Sequence, residues 1–526
     1  MKLHPLVIAV ALATGLGACN RSDTPAAGTE TAVVDQVKLA AELNQLYADY
    51  WEANLKLNPL NATFIGDNRY NAEMPNFFSA EYRRQAHDLS QSWLDKALAL
   101  DGTRLEGPGR ISYEIFVRER QLELEGEKFP DWMMPIDQFT NIAAFVPVLG
   151  SGNSAQPFKT VEDYDNWLKR GAAIPAIYDQ AIANMREGMK AGVVQPKALM
   201  LKVIPQLDAI INDDPAKTTF WGPITNMPKE FSAEDQKRLT EAYRVMIAEQ
   251  LMPAYKRLRA FIADEYLPAT RESVSLSALP DGEAWYAFNA KTQTTTELTP
   301  AEIHEIGLKE VARIQGEMRE VMKQVGFEGD LQAFFKFMTT DKQFMFKDEK
   351  ALLDAYNALR AKIDLKIPEQ FSVLPKAGFE IRPIEPFRAE SSAGGMYQSP
   401  SEDGSRPGIF YVNTFDLPSR KTWDAEDLYL HEAIPGHHFQ IAIQQELKDV
   451  PAFRRFGGET AFAEGWGLYA ESLGKDLGVY TDPYQYFGRL QGELWRAIRL
   501  VVDTGLHSKG WTREQVIDYM KANSAV

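Results

Sequence analysis

His431-Glu432-Ala433-Ile434-Pro435-Gly436-His437-His438 gathers three of the chain's seven histidines into one short stretch. A helix that holds zinc with two imidazoles uses the pattern H-E-x-x-H, which sets the rings one turn apart and leaves the Glu to activate water. Here His431-Glu432 is in place, but position 435 is Pro. In an unbroken helix His438 would lie nearly under His431 but about 10.5 Å along the axis, and His437 would point roughly 120° away. Pro435 removes a hydrogen bond to the His431 carbonyl and clashes with it, while Gly436 accepts dihedrals other residues avoid. A kink or bulge at Pro435-Gly436 is therefore expected, looping out the extra residues and bringing His437 to the place of the second ligand. His438 is the alternative ligand, and otherwise a supporting or substrate-facing group.

A catalytic zinc site takes three protein ligands and keeps an open position for water. Thr460-Ala461-Phe462-Ala463-Glu464-Gly465-Trp466-Gly467-Leu468-Tyr469-Ala470-Glu471 carries candidate carboxylates. The segment resembles the ligand helix of the aminopeptidase N family, an N-E-G-F-A-type motif with a further acid seven residues on. By that resemblance Glu464 is the third ligand and Glu471, two turns later, a support residue; Glu459 is the competing candidate. Glu432 is the expected general base, taking a proton from water and passing it to the leaving amine. Arg499, Asp503 and His507 fall four apart on one helical face, which makes His507 the candidate donor to a developing oxyanion. The plainer reading is that Asp503 pairs with Arg499 and His507 caps the helix. Tyr480, Tyr484 and Tyr486 are read as packing residues, with oxyanion donation the alternative.

The whole chain beyond its first residues resembles the bacterial family called domain of unknown function 885, whose members carry H-E-x-x-P-G-H-H and then A-E-G-W. The shared features include Asp403-Gly404-Ser405-Arg406-Pro407-Gly408 and Arg499-Leu500-Val501-Val502-Asp503-Thr504-Gly505-Leu506-His507. What the resemblance implies is a mainly α, zincin-like metallopeptidase fold with a small β-sheet beside the active-site helix, and Zn2+ as cofactor. Family members continue past the Gly510-Trp511-Thr512 helix into a segment with Pro-Gly and Tyr-Lys motifs. Against that pattern the chain reads as C-terminally short, lacking any active-site Tyr or Lys supplied there.

Outward from the motifs, the periodicity is helical. Leu39, Leu43, Leu46, Tyr47, Tyr50 and Trp51 recur at three- and four-residue steps, and further helices are expected over 80–100, 111–125, 161–191, 196–211, 233–267, 300–325 and 349–365. Thr299-Pro300-Ala301-Glu302 has the form of a capped helix start. Phe371 to Pro386 alternates apolar residues with prolines, and Gly408-Ile409-Phe410-Tyr411-Val412-Asn413-Thr414 is the best strand, expected beside the cleft where an extended peptide would pair with it. Helices resume over 425–447, 458–473, 483–507 and 512–523.

At the N-terminus, Lys2, the apolar run Leu6–Leu12 and Leu16-Gly17-Ala18-Cys19 form a short secretory signal with a lipobox-like exit, and Cys19 is the only cysteine. The expected organisation is a signal peptide over 1–18, a tether over 19–35, a helical region over 36–365 forming cleft walls, and a zincin-like catalytic region over 366–526. Asn20 after the cysteine points to the outer membrane, with the lipidated Cys19 as anchor and the body in the periplasm. A net charge of −16 with no basic run argues against nucleic acid as a partner, and 45% hydrophobic residues over 526 allow a large core. The expected activity is zinc-dependent hydrolysis of peptide bonds, with hydrolysis of non-peptide amides, or silent peptide binding, as alternatives. The sequence gives no oligomeric state.

Overall fold

The structure, a computed structural model, describes residues 27–139, 141–390 and 392–525. Residues 1–18, Cys19 and the start of the tether lie outside them. Helix α1 (Ala27–Leu57) begins inside the stretch read as tether. The stripe Leu39, Leu43, Leu46, Tyr47 and Tyr50 is its buried face. Helices α2 (Ala80–Leu100) and α3 (Gly107–Gly126) pack beside it, Ser79 capping α2 by accepting from the Tyr82 N–H. Helix α4 (Val161–Ala191) opens on a Thr160/Asp163 capping box and closes on Gly192 at φ 73°. Its Tyr164, Trp167, Ile174 and Tyr178 enter the largest apolar core. The stretch 233–267, expected as one helix, is helical throughout but widens into π-turns at Met246–Leu251 and Phe261–Tyr266. Each wide turn ends just before a proline, Pro253 and Pro268, whose missing N–H and bulky ring disrupt the i→i−4 ladder.

In the second half α5 (Pro300–Gln324), with the expected Thr299/Glu302 capping box, runs along a long helix near the C-terminus. Three strands follow: β1 (Phe379–Pro383), β2 (Gly395–Gln398) and β3 (Gly408–Val412), in the order β1-β3-β2. β1 is parallel to β3 and β2 antiparallel to it. The placement of Gly408–Thr414 as a substrate-pairing strand is thereby corrected. All five residues of β3 are buried and both its edges are paired, so its N–H and C=O groups are spent within the sheet. The outer strands, each with one edge unpaired in the sheet, are β1 and β2.

The helix expected over 425–447 is broken into α6 (Ala425–Glu432) and α7 (His437–Glu446). Helices α8 (Thr460–Ser472) and α9 (Pro483–Ser508) follow, α9 being the partner of α5. Gly307 makes that packing close, since a Cβ there would stand 2.8 Å from Leu500 Cβ. The halves interlock: Arg406 donates to Phe64 O (2.7 Å) and Ser399 O (2.9 Å), and the Glu402 N–H donates to Ile65 O (2.7 Å). Phe453 is buried among Tyr47, Tyr50 and Phe116. Among the described residues no helix is long and apolar enough to cross a membrane.

Candidate metal centre

Two stripes at four-residue spacing face each other across α6 and α9. On α9, Gly488 and Gly492 meet Trp423 O and Asp427, at which added Cβ atoms would collide (1.8 and 2.3 Å). The next residue of that stripe, Arg496, meets His431, the next of the other. Small residues thus let the helices close up, and the first large one reaches the histidine. Helix α8 closes the other side, with Gly467 against the flat of the His431 ring. Between α6 and α7 the chain turns through Ala433–Gly436, with a cis Ile434–Pro435 bond. Trp466 Nε1 donates to Pro435 O at 2.7 Å, fastening this turn to α8.

The break turns His437 toward His431, their ring centroids 4.6 Å apart. Nε2 of His431 lies 3.4 Å from Glu464 Oε2, and Nε2 of His437 lies 3.7 Å from Glu464 Oε1. One ligand atom from each of the three residues can be chosen so that all lie within 4.8 Å of one another. Two metal–ligand bonds of about 2.0–2.1 Å at a tetrahedral angle would span about 3.4 Å, so the donor set fits a zinc-sized ion. Glu471, fully buried, accepts from His431 Nδ1 at 2.8 Å and so turns Nε2 toward Glu464. Arg496 Nη2 lies 3.0 Å from both Glu471 Oε1 and His431 Nδ1.

Burial lowers the pKa of His431, but its bonds to Glu464 and Glu471 outweigh that and raise it to about 9. Glu464 falls to about 2, chiefly through the His431 bond. His437, pushed down to about 4 by burial and by the charge on His431, stays neutral, and its buried Nδ1 has no partner. The Glu432 carboxyl is pushed up to about 7 by burial, against the pull of His431 and Arg496. These groups share a cleft of about 930 Å³ with Tyr397, Arg420, Asp424, Trp495 and Arg499.

The family model for bacterial proteins of unknown function, DUF885, matches residues 59–526. The chain belongs to the DUF885 family. A crystal structure of a candidate lipoprotein from Colwellia psychrerythraea is similar to it, with a TM-score of 0.85 and 26% identity over 94% of this chain and 87% of that one. A structure of a candidate lipoprotein of unknown function from Shewanella oneidensis shares the fold, with a TM-score of 0.65 and 16% identity over 91% and 86% of the two chains. No curated protein matches the sequence.

Within this DUF885 chain His431, Glu432, His437 and Glu464 converge, and two expectations need correction. His438 does not face the cleft. It is buried behind the sheet, its Nε2 donating to Ala377 O (3.0 Å) and its Nδ1 accepting from Tyr397 OH (3.0 Å). That pattern fixes the neutral tautomer, and burial holds its pKa down to about 4. Its role is to hold Tyr397, a wall of the cleft; Gly408 leaves the space, since a Cβ would stand 2.8 Å from His438 Nδ1. His507 is also remote. Nδ1 accepts from the Leu276 N–H at 2.8 Å, the ring packs on Tyr286, and the Tyr286 hydroxyl, not Arg499, takes Asp503 (2.5 Å). Eleven residues separate His507 from Arg496, about 16 Å along a helix, so it cannot donate to a carbonyl at the cluster. Glu459 pairs with Arg118 instead. Tyr480 donates to Asp427, Tyr486 to Glu317, and Tyr484 packs on Phe344. Arg496 is the site residue missed by sequence reading, although the Gly488–Gly492–Arg496 stripe could have shown it.

Proposed function

We propose that this protein is a zinc-dependent peptidase. The observation that carries the reading is the junction of two imidazoles and a carboxylate across a helix break, with a second, unbonded carboxyl from Glu432 in the same cleft. His431, His437 and Glu464 would hold the ion, which when bound would polarise a carbonyl and lower the pKa of water. Two imidazoles and a carboxylate are a donor set suited to zinc.

Glu432 makes no hydrogen bond among the described residues, and its raised pKa near 7 suits a group that takes a proton at a carboxylate oxygen and returns it to a leaving amine. Glu471 keeps the His431 ring oriented. The open edge of β2 offers N–H and C=O groups to an extended backbone, and Met396 and Tyr397 of that strand line the cleft. Such an edge supports a peptide over a small amide. A zincin-like architecture fits this assembly of helix, break and adjoining sheet.

The lipobox-like Cys19, together with two similar structures described as candidate lipoproteins, supports lipid anchoring in the cell envelope, facing the periplasm and on the outer membrane. The test of function is zinc content and cleavage of a mixed peptide library by the wild type, Glu464→Gln and Glu432→Gln. About one zinc per chain, weakened in the first variant and kept without turnover in the second, is expected. A zinc-free wild type after metal is supplied, or full turnover by Glu432→Gln, would refute the reading. Cys19→Ser should release the protein from the membrane fraction.

A further inference from the structure

Arg420, Lys421, Arg496 and Arg499 all reach the cleft. Two are engaged: Arg496 by Glu471 at 3.0 Å, and Lys421 Nζ by Pro418 O at 2.7 Å. Arg420 and Arg499 have no side-chain hydrogen bond or ion pair among the described residues, and Arg420 Nε is buried without a partner. Asp424 lies near enough to feel the charge of Arg420 but does not pair with it. A buried guanidinium N–H without an acceptor is costly, and a carboxylate is the acceptor whose geometry matches it.

Arg420 marks one end of β2: its Nη1 stands 3.1 Å from where a Gly394 Cβ would be, just before the strand begins at Gly395. Arg499 lies elsewhere in the cleft, one turn beyond Arg496, the residue touching His431. Beyond the other end of β2, Ser399 lines a second cavity of about 740 Å³ whose charged walls are Glu119, Glu123 and Glu459 with Arg118 and Arg120. A peptide pairing antiparallel to the open edge of β2, the commoner pairing, has its C-terminus at the Gly395 end.

We infer that Arg420 forms an anchor for the C-terminal carboxylate of a short peptide substrate. The inference rests on the peptidase reading and narrows its substrates to short peptides with a free C-terminus. The test is calorimetric binding of trialanine and trialanine amide to zinc-loaded Glu432→Gln protein, with and without Arg420→Met. Binding of the free acid at least about tenfold tighter than the amide is expected from a charge-assisted bond. The ratio should fall to near one in the Arg420→Met protein, with retained zinc and amide binding showing an intact site.

A ratio near one before substitution, or a preference surviving Arg420→Met, would overturn the anchor. Equal preference for Ala-Ala-Glu amide would assign Arg420 to side-chain carboxylates and remove the terminal assignment. Wild-type enzyme cleaving capped and free peptides with equal kcat/KM sinks the anchor and leaves the peptidase standing. With zinc in place, neither binding nor cleavage of either peptide sinks both.

Discussion

Gly467→Ala separates the candidate metal centre from the fold. The added Cβ would stand 2.5 Å from His431 Cε1, 2.7 Å from Nδ1 and 3.0 Å from Nε2. Comfortable carbon contacts need about 3.5–4.0 Å, so the ring must recede by about 1 Å. Glu471 is buried and the Nδ1 bond of 2.8 Å would be stretched beyond use. Sites of this kind tolerate about 0.5 Å of displacement, and loss of the orienting bond typically costs about 10- to 100-fold in metal affinity. Overpacking should cost about 1–3 kcal/mol of stability, offset in part by about 0.5–1 kcal/mol from replacing a helical glycine. The matched control is Gly465→Ala on the same helix, where nothing lies within 4 Å of the new Cβ. It should gain about 0.5–1 kcal/mol and bind zinc as before. Competition against a chromophoric chelator gives zinc affinity, and thermal melts without metal give stability. A folded Gly467→Ala protein binding zinc within twofold of wild type would refute the packing argument.

Glu471→Gln should lower zinc affinity about 10- to 100-fold, read by the same competition, because the bond that orients His431 and the charge that holds Arg496 are both weakened. Asn413, wholly buried, donates Nδ2 to Ala389 O, Ser392 O and Ala393 O; Asn413→Ala should cost about 2–3 kcal/mol in denaturant melts by leaving those carbonyls unpaired. Glu119 is pushed up to about 7 by burial, with Arg120 pulling down and Glu123 pushing up. The folded state therefore binds that proton more tightly than the unfolded chain. Its stabilisation is complete below the ordinary carboxylate range and is lost as pH rises through about 7. With a quarter of its side chain exposed, Glu119→Gln should gain about 1–2 kcal/mol on wild type between acid and mildly alkaline melts, and equal differences at both would contradict the shift.

Helix positions were legible where caps and stripes agreed, as at Thr299/Glu302 and along Leu39–Tyr50. The break at Pro435-Gly436 was legible because proline chemistry is local. What failed is what depends on neighbours. Whether Gly408–Val412 is central or marginal is decided by β1 and β2, not by its own residues. His507 shares a face with Arg499 in projection, but Tyr286 and Leu276 claim that part of α9. His438 is adjacent in sequence to a cluster residue yet belongs to the far side of α7, where Tyr397 and Ala377 satisfy it. Periodicity names a face, and only packing names what the face meets.

The lodging of Phe453 among Tyr47, Tyr50 and Phe116 has a consequence for assembly. Its neighbours are separated from it by more than three hundred residues of chain, as are Phe64 and the Arg406 that grips its carbonyl. Contacts of such span form only after a long loop has closed, so they arise late and slowly. The turn that brings His437 to His431 is followed directly by the helices this lodging secures. His431, His437 and Glu464 lie within one stretch of chain, so their approach is local, while the packing that steadies that stretch waits on the N-terminal helices.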